Sequence, residues 1–209
     1  MSRLLVATRS RGKQAEFRQL LAPLAAEIVF PEDLGIPEAP AEDALEVHDT
    51  FEANALAKAE YFAARGGCPA LADDSGLEVD ALDGAPGVWS KRFAGGIGPD
   101  HEVTAANNAE LLRRLAGVVP EGRTARYRCV LALAWPREAR RAPVVVSGWT
   151  TGTILTAPEG TGGFGYDPLF RSDDLGISFG RATSGAKHAV SHRGRAVAAL
   201  LARFPTGLD

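Results

Sequence analysis

Tyr127-Arg128-Cys129-Val130-Leu131-Ala132-Leu133-Ala134-Trp135, followed after the polar stretch 136–142 by Pro143-Val144-Val145-Val146-Ser147-Gly148-Trp149, decides the fold class. Both runs are apolar, β-branched or aromatic, short enough for strands, and separated by a charged, proline-bounded connection. They read as a hairpin. Thr150–Leu155 either continues the second strand or forms another. Outward from this hairpin the sequence alternates between strand and helix. Leu4-Leu5-Val6-Ala7 is a continuous apolar run of a buried strand. Phe17, Leu20, Leu21 and Leu24 then fall on one face of a helix, with Pro23 in its last turn. Ile28–Phe30 is a second strand, and residues 31–49, rich in proline and acid, form a surface loop. Asp49 and Glu52 have capping-box spacing for a helix running to about Arg65, stopped by Gly66 and Gly67. Its apolar face is Ala55, Leu56, Ala59, Phe62 and Ala63, while Asn54 and Lys58 share another face. Further helices are expected at Thr104–Leu115 and after Ser191, the latter burying Val197, Leu200, Leu201 and Phe204. Helices between strands, with a hairpin in the middle, imply an α/β protein with a mixed sheet.

The chain has 209 residues, enough for one large domain or two lobes sharing a sheet, and 45% are hydrophobic. Its two cysteines, Cys68 and Cys129, have no ligand-like spacing and read as small buried residues of a reducing compartment. The apolar run near the N-terminus is too short for a signal peptide, and no stretch approaches the ~20 apolar residues of a membrane span. A cytoplasmic protein with no membrane partner is expected. The net charge of −3 opposes general affinity for duplex nucleic acid. No aromatic pair sits on a strand as in sheet-based RNA binders. Charge is nevertheless segregated. Arg3, Arg9, Arg11 and Lys13 stand at one end, and Arg181, Lys187, Arg193, Arg195 and Arg203 at the other. Between Gln19 and Ala57 there are nine acids and no lysine or arginine. Basic ends around an acidic middle suit a site that binds polyphosphate on cations and metal on carboxylates.

Four constellations carry chemistry. Ala72-Asp73-Asp74-Ser75-Gly76 reads as an acidic pair at the end of a short strand, with Gly76 supplying a bend, since adjacent strand residues cannot both face water. With Glu46, the pair forms an acid set able to share a hard cation. Thr8-Arg9-Ser10-Arg11-Gly12-Lys13 joins a strand to a helix, where free N–H groups and a lysine make an anion site, although Walker A spacing is absent. Ser191 caps a helix whose first turn holds His192 and Arg193. Bases oppose the helix dipole there, which suits an anionic or carbonyl-bearing partner; the alternative is two exposed bases that cost only about a few tenths of a kcal/mol. Gly160-Thr161-Gly162-Gly163-Phe164-Gly165-Tyr166-Asp167 surrounds one phenylalanine with glycines, leaving its ring open to a flat ligand. Together they suggest metal-assisted attack on a phosphate chain with a flat base bound at one end.

These segments, TRSRGK from Thr8, TFEANALAKA from Thr50, ALADDSGLEVDAL from Ala70, GAPGVWSKRFAG from Gly84, GTGGFGYDPLF from Gly160 and SGAKHAVSHRGRA from Ser184, resemble the inosine triphosphate pyrophosphatase family in the family's order. The resemblance implies a single domain over 1–209 with an elongated mixed sheet flanked by helices, two lobes and an active-site cleft between them. It implies a homodimer and Mg²⁺-dependent hydrolysis of ITP, dITP and XTP to monophosphate plus pyrophosphate, which cleanses the nucleotide pool. The family's base falls on Asp74, which is also a metal position, and its other metal carboxylate near Glu46. Substrate contacts fall on Thr8, Arg9, Ser10, Arg11, Gly12, Lys13, Ser75, Phe164, Gly165, Tyr166, Asp167, Lys187, His192 and Arg193. Two departures stand out. Thr8-Arg9-Ser10 replaces the family's Thr-x-Asn, and Glu46-Val47-His48 replaces Glu-Thr-Gly or Glu-Asp-Gly. In the mechanism so implied, Asp74 takes a proton from water attacking the α-phosphorus and Asp73 supports it. Lys13 and Lys58 stabilise the departing pyrophosphate, Phe164 stacks on the purine, and Arg193 donates to a 6-keto edge. The alternatives are a pyrophosphatase for other modified nucleotides and a regulator that binds nucleotide without cleaving it.

Overall fold

The computed structural model describes residues 2–208. Six strands form one sheet in the order β2-β1-β3-β4-β5-β6: β1 Ser2–Val6, β2 Ala26–Val29, β3 Ala70–Val79, β4 Thr124–Ala134, β5 Val144–Ile154 and β6 Phe170–Ser172. The helices are α1 Arg11–Leu20, α2 Phe51–Gly66, α3 Asp100–Arg114, α4 Ser184–Val190 and α5 His192–Arg203. β1 runs parallel to β2 and β3, whereas β5 pairs antiparallel with β6, so the sheet is mixed as expected. The two hairpin strands lie side by side, and Thr150–Ile154 continues the second.

The chain divides into two compact units. One comprises residues 1–74, 129–148 and 193–209, the other residues 75–128 and 149–192, and β3, β4 and β5 contribute residues to both. In the first unit, side-chain parity explains the layers. Leu4 and Val6 of β1, Leu71 of β3 and Leu131 and Leu133 of β4 share one core with Phe17 and Leu21 and with Val197 and Leu200 of α5. Leu5, between Leu4 and Val6, is fully buried as well. A strand covered on both faces needs the unbroken apolar run that its sequence shows. Each such side chain contributes about 1.5–3 kcal/mol on burial. The second unit has its own core of Leu77 and Val79 on β3, Leu111 and Leu115, Tyr127 on β4, and Phe170 and Phe179. Buried Arg123 ties this core together by donating to the carbonyls of Leu115, Ile154 and Leu155 at 2.7–2.9 Å.

Local structure departs from the sequence reading in several places: β2 is Ala26–Val29 rather than Ile28–Phe30, and 3-10 turns at Pro31–Leu34 and Pro40–Glu46 interrupt the loop 31–49. α1 ends at Leu20, so Pro23 sits in the turn beyond it, where its missing N–H is harmless. The cap of α2 is Thr50, whose hydroxyl accepts from the Ala53 N–H at 3.2 Å, which leaves Asp49 outside the helix. α3 begins at Asp100, earlier than Thr104. Most consequentially, Asp73 and Asp74 do not end a strand. They lie inside the ten-residue β3, and Gly76 stays within it. Burial with partners on opposite faces, rather than a bend, resolves the conflict of adjacent carboxylates. Among the described residues no helix is long and apolar enough to cross a membrane.

Candidate active site

Within the first unit, β3 presents its two aspartates in opposite directions. Asp73 has the parity of Leu71 and meets the α1 and α5 side. Lys13, in the first turn of α1, donates to its Oδ1 at 3.0 Å, and Arg193, in the first turn of α5, donates to its Oδ2 at 3.1 Å. Arg193 also binds Glu16 through its other terminal nitrogen and stands over the Phe17 ring. Burial alone would raise the Asp73 carboxyl. Lys13 and Arg193 outweigh it and hold the group well below the usual carboxylate range. The same pairing, against burial, raises Arg193.

Asp74 faces α2. The Asn54 amide donates to its Oδ2 at 2.8 Å, and that amide also accepts from the His48 N–H at 2.9 Å and donates to the His48 carbonyl at 3.2 Å. Burial raises the Asp74 carboxyl above its ordinary value despite nearby Lys58 and Asn54. Lys58, one turn after Asn54, is buried and ion-paired with Glu46. Burial disfavours its charge, but Glu46 and Asp73 more than offset that and raise it. The neighbouring carboxylates thus differ: one is locked as an anion, the other is proton-seeking. A proton-seeking carboxylate in a site with cations has the property a general base needs.

The basic loop is only partly available. Thr8 is buried, its hydroxyl accepting from the Ser10 N–H at 3.3 Å and its carbonyl from Gln14 at 3.2 Å. Arg9 is spoken for: its guanidinium grips Glu42 through two bonds of 2.7 and 2.8 Å and reaches the Ile36 carbonyl. Ser10 is the N-cap of α1 but makes no side-chain capping bond, and the first turn holds no acid. The N–H groups of Arg11, Gly12 and Lys13 thus head a helix whose positive end is not neutralised by its own side chains.

The second unit holds the aromatic set. Asp167, 2% exposed, accepts from the Phe164 N–H and from Lys187 Nζ, each at 2.7 Å. Lys187 Nζ lies 4.8 Å from the Phe164 ring centre, and Phe164 as a residue is 40% exposed. Phe164 is therefore presented outward while its backbone is tied down. Gly163 makes this possible: at φ +72° its missing Cβ would lie 2.1 Å from Asp167 Oδ2. The Gly165 carbonyl accepts from Asn108 at 3.2 Å. Tyr166 turns inward, its hydroxyl on the Ser90 carbonyl at 2.8 Å, so its side chain belongs to the core rather than to an open pocket. Ser75 is half-buried on β3. His192 is buried and stacks on Tyr127 at 4.7 Å, so the two bases of the first turn of α5 are not exposed.

Of the residues expected from sequence, Lys13 and Arg193 therefore meet on Asp73, Glu46 and Asp74 gather around Lys58, and Phe164, Asp167 and Lys187 form a third group. Glu16 and Asn54 were not anticipated. The one visible signal for Asn54 was its polar side chain four residues before Lys58 on an alanine-rich helix. Among the described residues no three histidine, cysteine or acidic side chains cluster as a metal cage.

A model of the Ham1 family matches residues 4–203. The dITP/XTP pyrophosphatase of Geobacter sulfurreducens is 48% identical over 200 residues, covering 96% of this chain and 95% of its own. That of Ralstonia nicotianae is 45% identical over 207 residues, covering 98% and 97%. Among solved structures, a HAM1 protein from Coxiella burnetii superposes with TM-score 0.82 at 34% identity, covering 97% of this chain and 98% of its own. A nucleoside-triphosphatase / dITP/XTP pyrophosphatase from Mycobacterium abscessus gives 0.71 at 42% identity, covering 95% and 98%.

Gly163→Ala tests the aromatic set. A methyl group at that φ displaces Asp167, so the variant is expected to lose more than about 1 kcal/mol in urea unfolding and to move the Phe164 backbone amide resonance. Unchanged stability and an unchanged amide would remove the tie between Gly163 and Asp167.

Proposed function

The chain belongs to the Ham1 family, and on that footing we propose that it is a nucleoside triphosphate pyrophosphatase that cleaves ITP, dITP and XTP to the monophosphate and pyrophosphate. The observation that carries this reading is the unequal treatment of two adjacent aspartates, with Asp73 ion-paired to Lys13 and Arg193 and Asp74 buried beside Asn54, Lys58 and Glu46.

In this reading water attacks the α-phosphorus as Asp74 accepts its proton. The bond from the α-phosphorus to the bridging oxygen breaks, and the electron pair leaves with pyrophosphate. Lys13, Lys58 and the free N–H groups at the start of α1 take up the charge developing on the leaving group, with Thr8, Ser10 and Ser75 as further contacts. The donor set fits a divalent cation. Asp74 and Glu46 offer hard carboxylate oxygens, and the carboxylates of this set already draw the Lys58 ammonium. Two carboxylates completed by phosphate and water oxygens are the habit of Mg²⁺. Asp74 and Glu46 would hold it, and when bound it supplies charge neutralisation and a more acidic water.

The base is assigned to the second unit's set, with the exposed Phe164 ring as stacking platform. Lys187 beside that ring is a donor, which suits a 6-keto oxygen and opposes adenine's 6-amino donor. Asp167 orients both. Arg193 reaches a purine edge only by exchanging Glu16 or Asp73 for it, so its first role here is as their counter-ion. Arg9 contributes through its backbone, because its side chain holds Glu42. A homodimer acting on the cytoplasmic nucleotide pool is the proposed setting.

The test is incubation with ITP and Mg²⁺ in ¹⁸O-water, with pyrophosphate and orthophosphate measured separately. Stoichiometric pyrophosphate, label in the monophosphate and loss of turnover with EDTA are expected. Orthophosphate as first product, or binding without release of either, would overturn the reading. Phe164→Ala is expected to reduce kcat/KM for ITP by about 5- to 150-fold, as removal of one base-stacking ring costs about 1–3 kcal/mol. An unchanged kcat/KM would move the purine elsewhere.

A further inference from the structure

We propose that Asn54 is a positioning residue for the reaction: one buried amide that fixes the Asp74 carboxylate and, through the same side chain, the backbone of the loop that delivers Glu46. The inference rests on the pyrophosphatase reading above and adds a residue to it.

The geometry is specific. Asn54 lies in the first turns of α2 and is 1% exposed. Its Nδ2 donates to Asp74 Oδ2 at 2.8 Å and to the His48 carbonyl at 3.2 Å, while its Oδ1 accepts from the His48 N–H at 2.9 Å. Both amide hydrogens and the carbonyl oxygen are therefore used. His48 is two residues after Glu46, whose carboxylate pairs with Lys58 one turn along the same helix. α2 thus grips the loop twice, at Glu46 through Lys58 and at His48 through Asn54. It is itself fixed by the Thr50 cap and by its buried alanine and phenylalanine face. An amide suits this place for a chemical reason. Only a side chain with a donor and an acceptor on one planar group satisfies a carboxylate and both polar atoms of one peptide residue at once. A buried carboxylate left to rotate would present its lone pairs to water in several orientations, and misplacement by about 1 Å costs on the order of 10²-fold in rate.

The experiment compares wild type, Asn54→Asp and Asn54→Ala, each alone and with Asp74→Asn. Asn54→Asp keeps an acceptor for the His48 N–H and loses both donors, the one to Asp74 and the one to the His48 carbonyl. Asn54→Ala loses all three bonds. Both are expected to lower kcat for ITP by about 10²-fold with KM within about twofold of wild type, because the nucleotide's own contacts are untouched. Melting temperature is followed in parallel, and Asn54→Asp keeps the test open if Asn54→Ala folds poorly. In the Asp74→Asn background, Asn54→Asp is expected to lower residual turnover by less than about twofold, since the part of its effect that runs through Asp74 is already lost, whereas Asn54→Ala, which also frees the loop of Glu46 at both His48 bonds, keeps a further loss smaller than about tenfold. A kcat within about threefold of wild type in Asn54→Asp, or the full loss repeated in the Asp74→Asn background, overturns the proposal. A wild-type enzyme that releases no pyrophosphate overturns the parent reading instead, and the two failures are told apart in the same assay.

Discussion

Alternation along β3 is the constraint on which the rest depends. Consecutive side chains of a strand point to opposite faces, and β3 is interior to the sheet, so neighbouring carboxylates there both face protein. Two adjacent acids at 1% and 7% exposure are tolerable only if each finds its own partners. Asp73 finds cations at the starts of two helices. Asp74 finds an amide and the field of a lysine. That single parity separates a carboxylate held between cations from the one proposed here as proton acceptor, although both share one backbone segment and one residue type.

The energetics follow from the same division. Asp73 ionises more readily folded than unfolded, so its contribution to stability is present above its unfolded value and is lost as pH falls through the folded one. Asp74 has the opposite sign. Its folded carboxyl is raised, so holding it ionised at neutral pH opposes folding. The protein carries this unfavourable term beside Lys58, Asn54 and Glu46. A group kept in a form that does not favour folding is typical of sites where stability yields to chemistry.

Much of this was legible in the sequence, and the remainder was hidden for identifiable reasons. Unbroken apolar runs marked β1 and the second half of β4, which are covered on both faces, whereas β5 showed itself by β-branched and aromatic residues although its side chains alternate between buried and exposed. Glycines around Phe164 announced an outward ring. The acidic pair was visible but its setting was not: Asp, Ser and Gly are turn residues, and only the tertiary partners of Asp73 and Asp74 keep β3 extended through them. Glu16 and Arg193 lie 177 residues apart, and no local pattern links them. The same applies to Arg9, whose capture by Glu42 removes a side chain that sequence alone offers to a phosphate. The resemblance puts Tyr166 among the substrate contacts, yet the chain turns its side chain toward Ser90. Local propensity reports which residues could bend or extend; the pairing of distant charges decides which do.

Whether the neighbouring aspartates differ in this way is decided by parallel measurement of unfolding free energy and turnover for Asp73→Asn and Asp74→Asn. Asp73→Asn is expected to lose about 3 kcal/mol of stability, because it leaves buried cations short of a partner. Asp74→Asn is predicted to be at least as stable as wild type while its turnover falls about 10²–10⁴-fold. Equal losses of stability in the two variants, or an Asp74→Asn protein that turns over ITP at the wild-type rate, would contradict this difference.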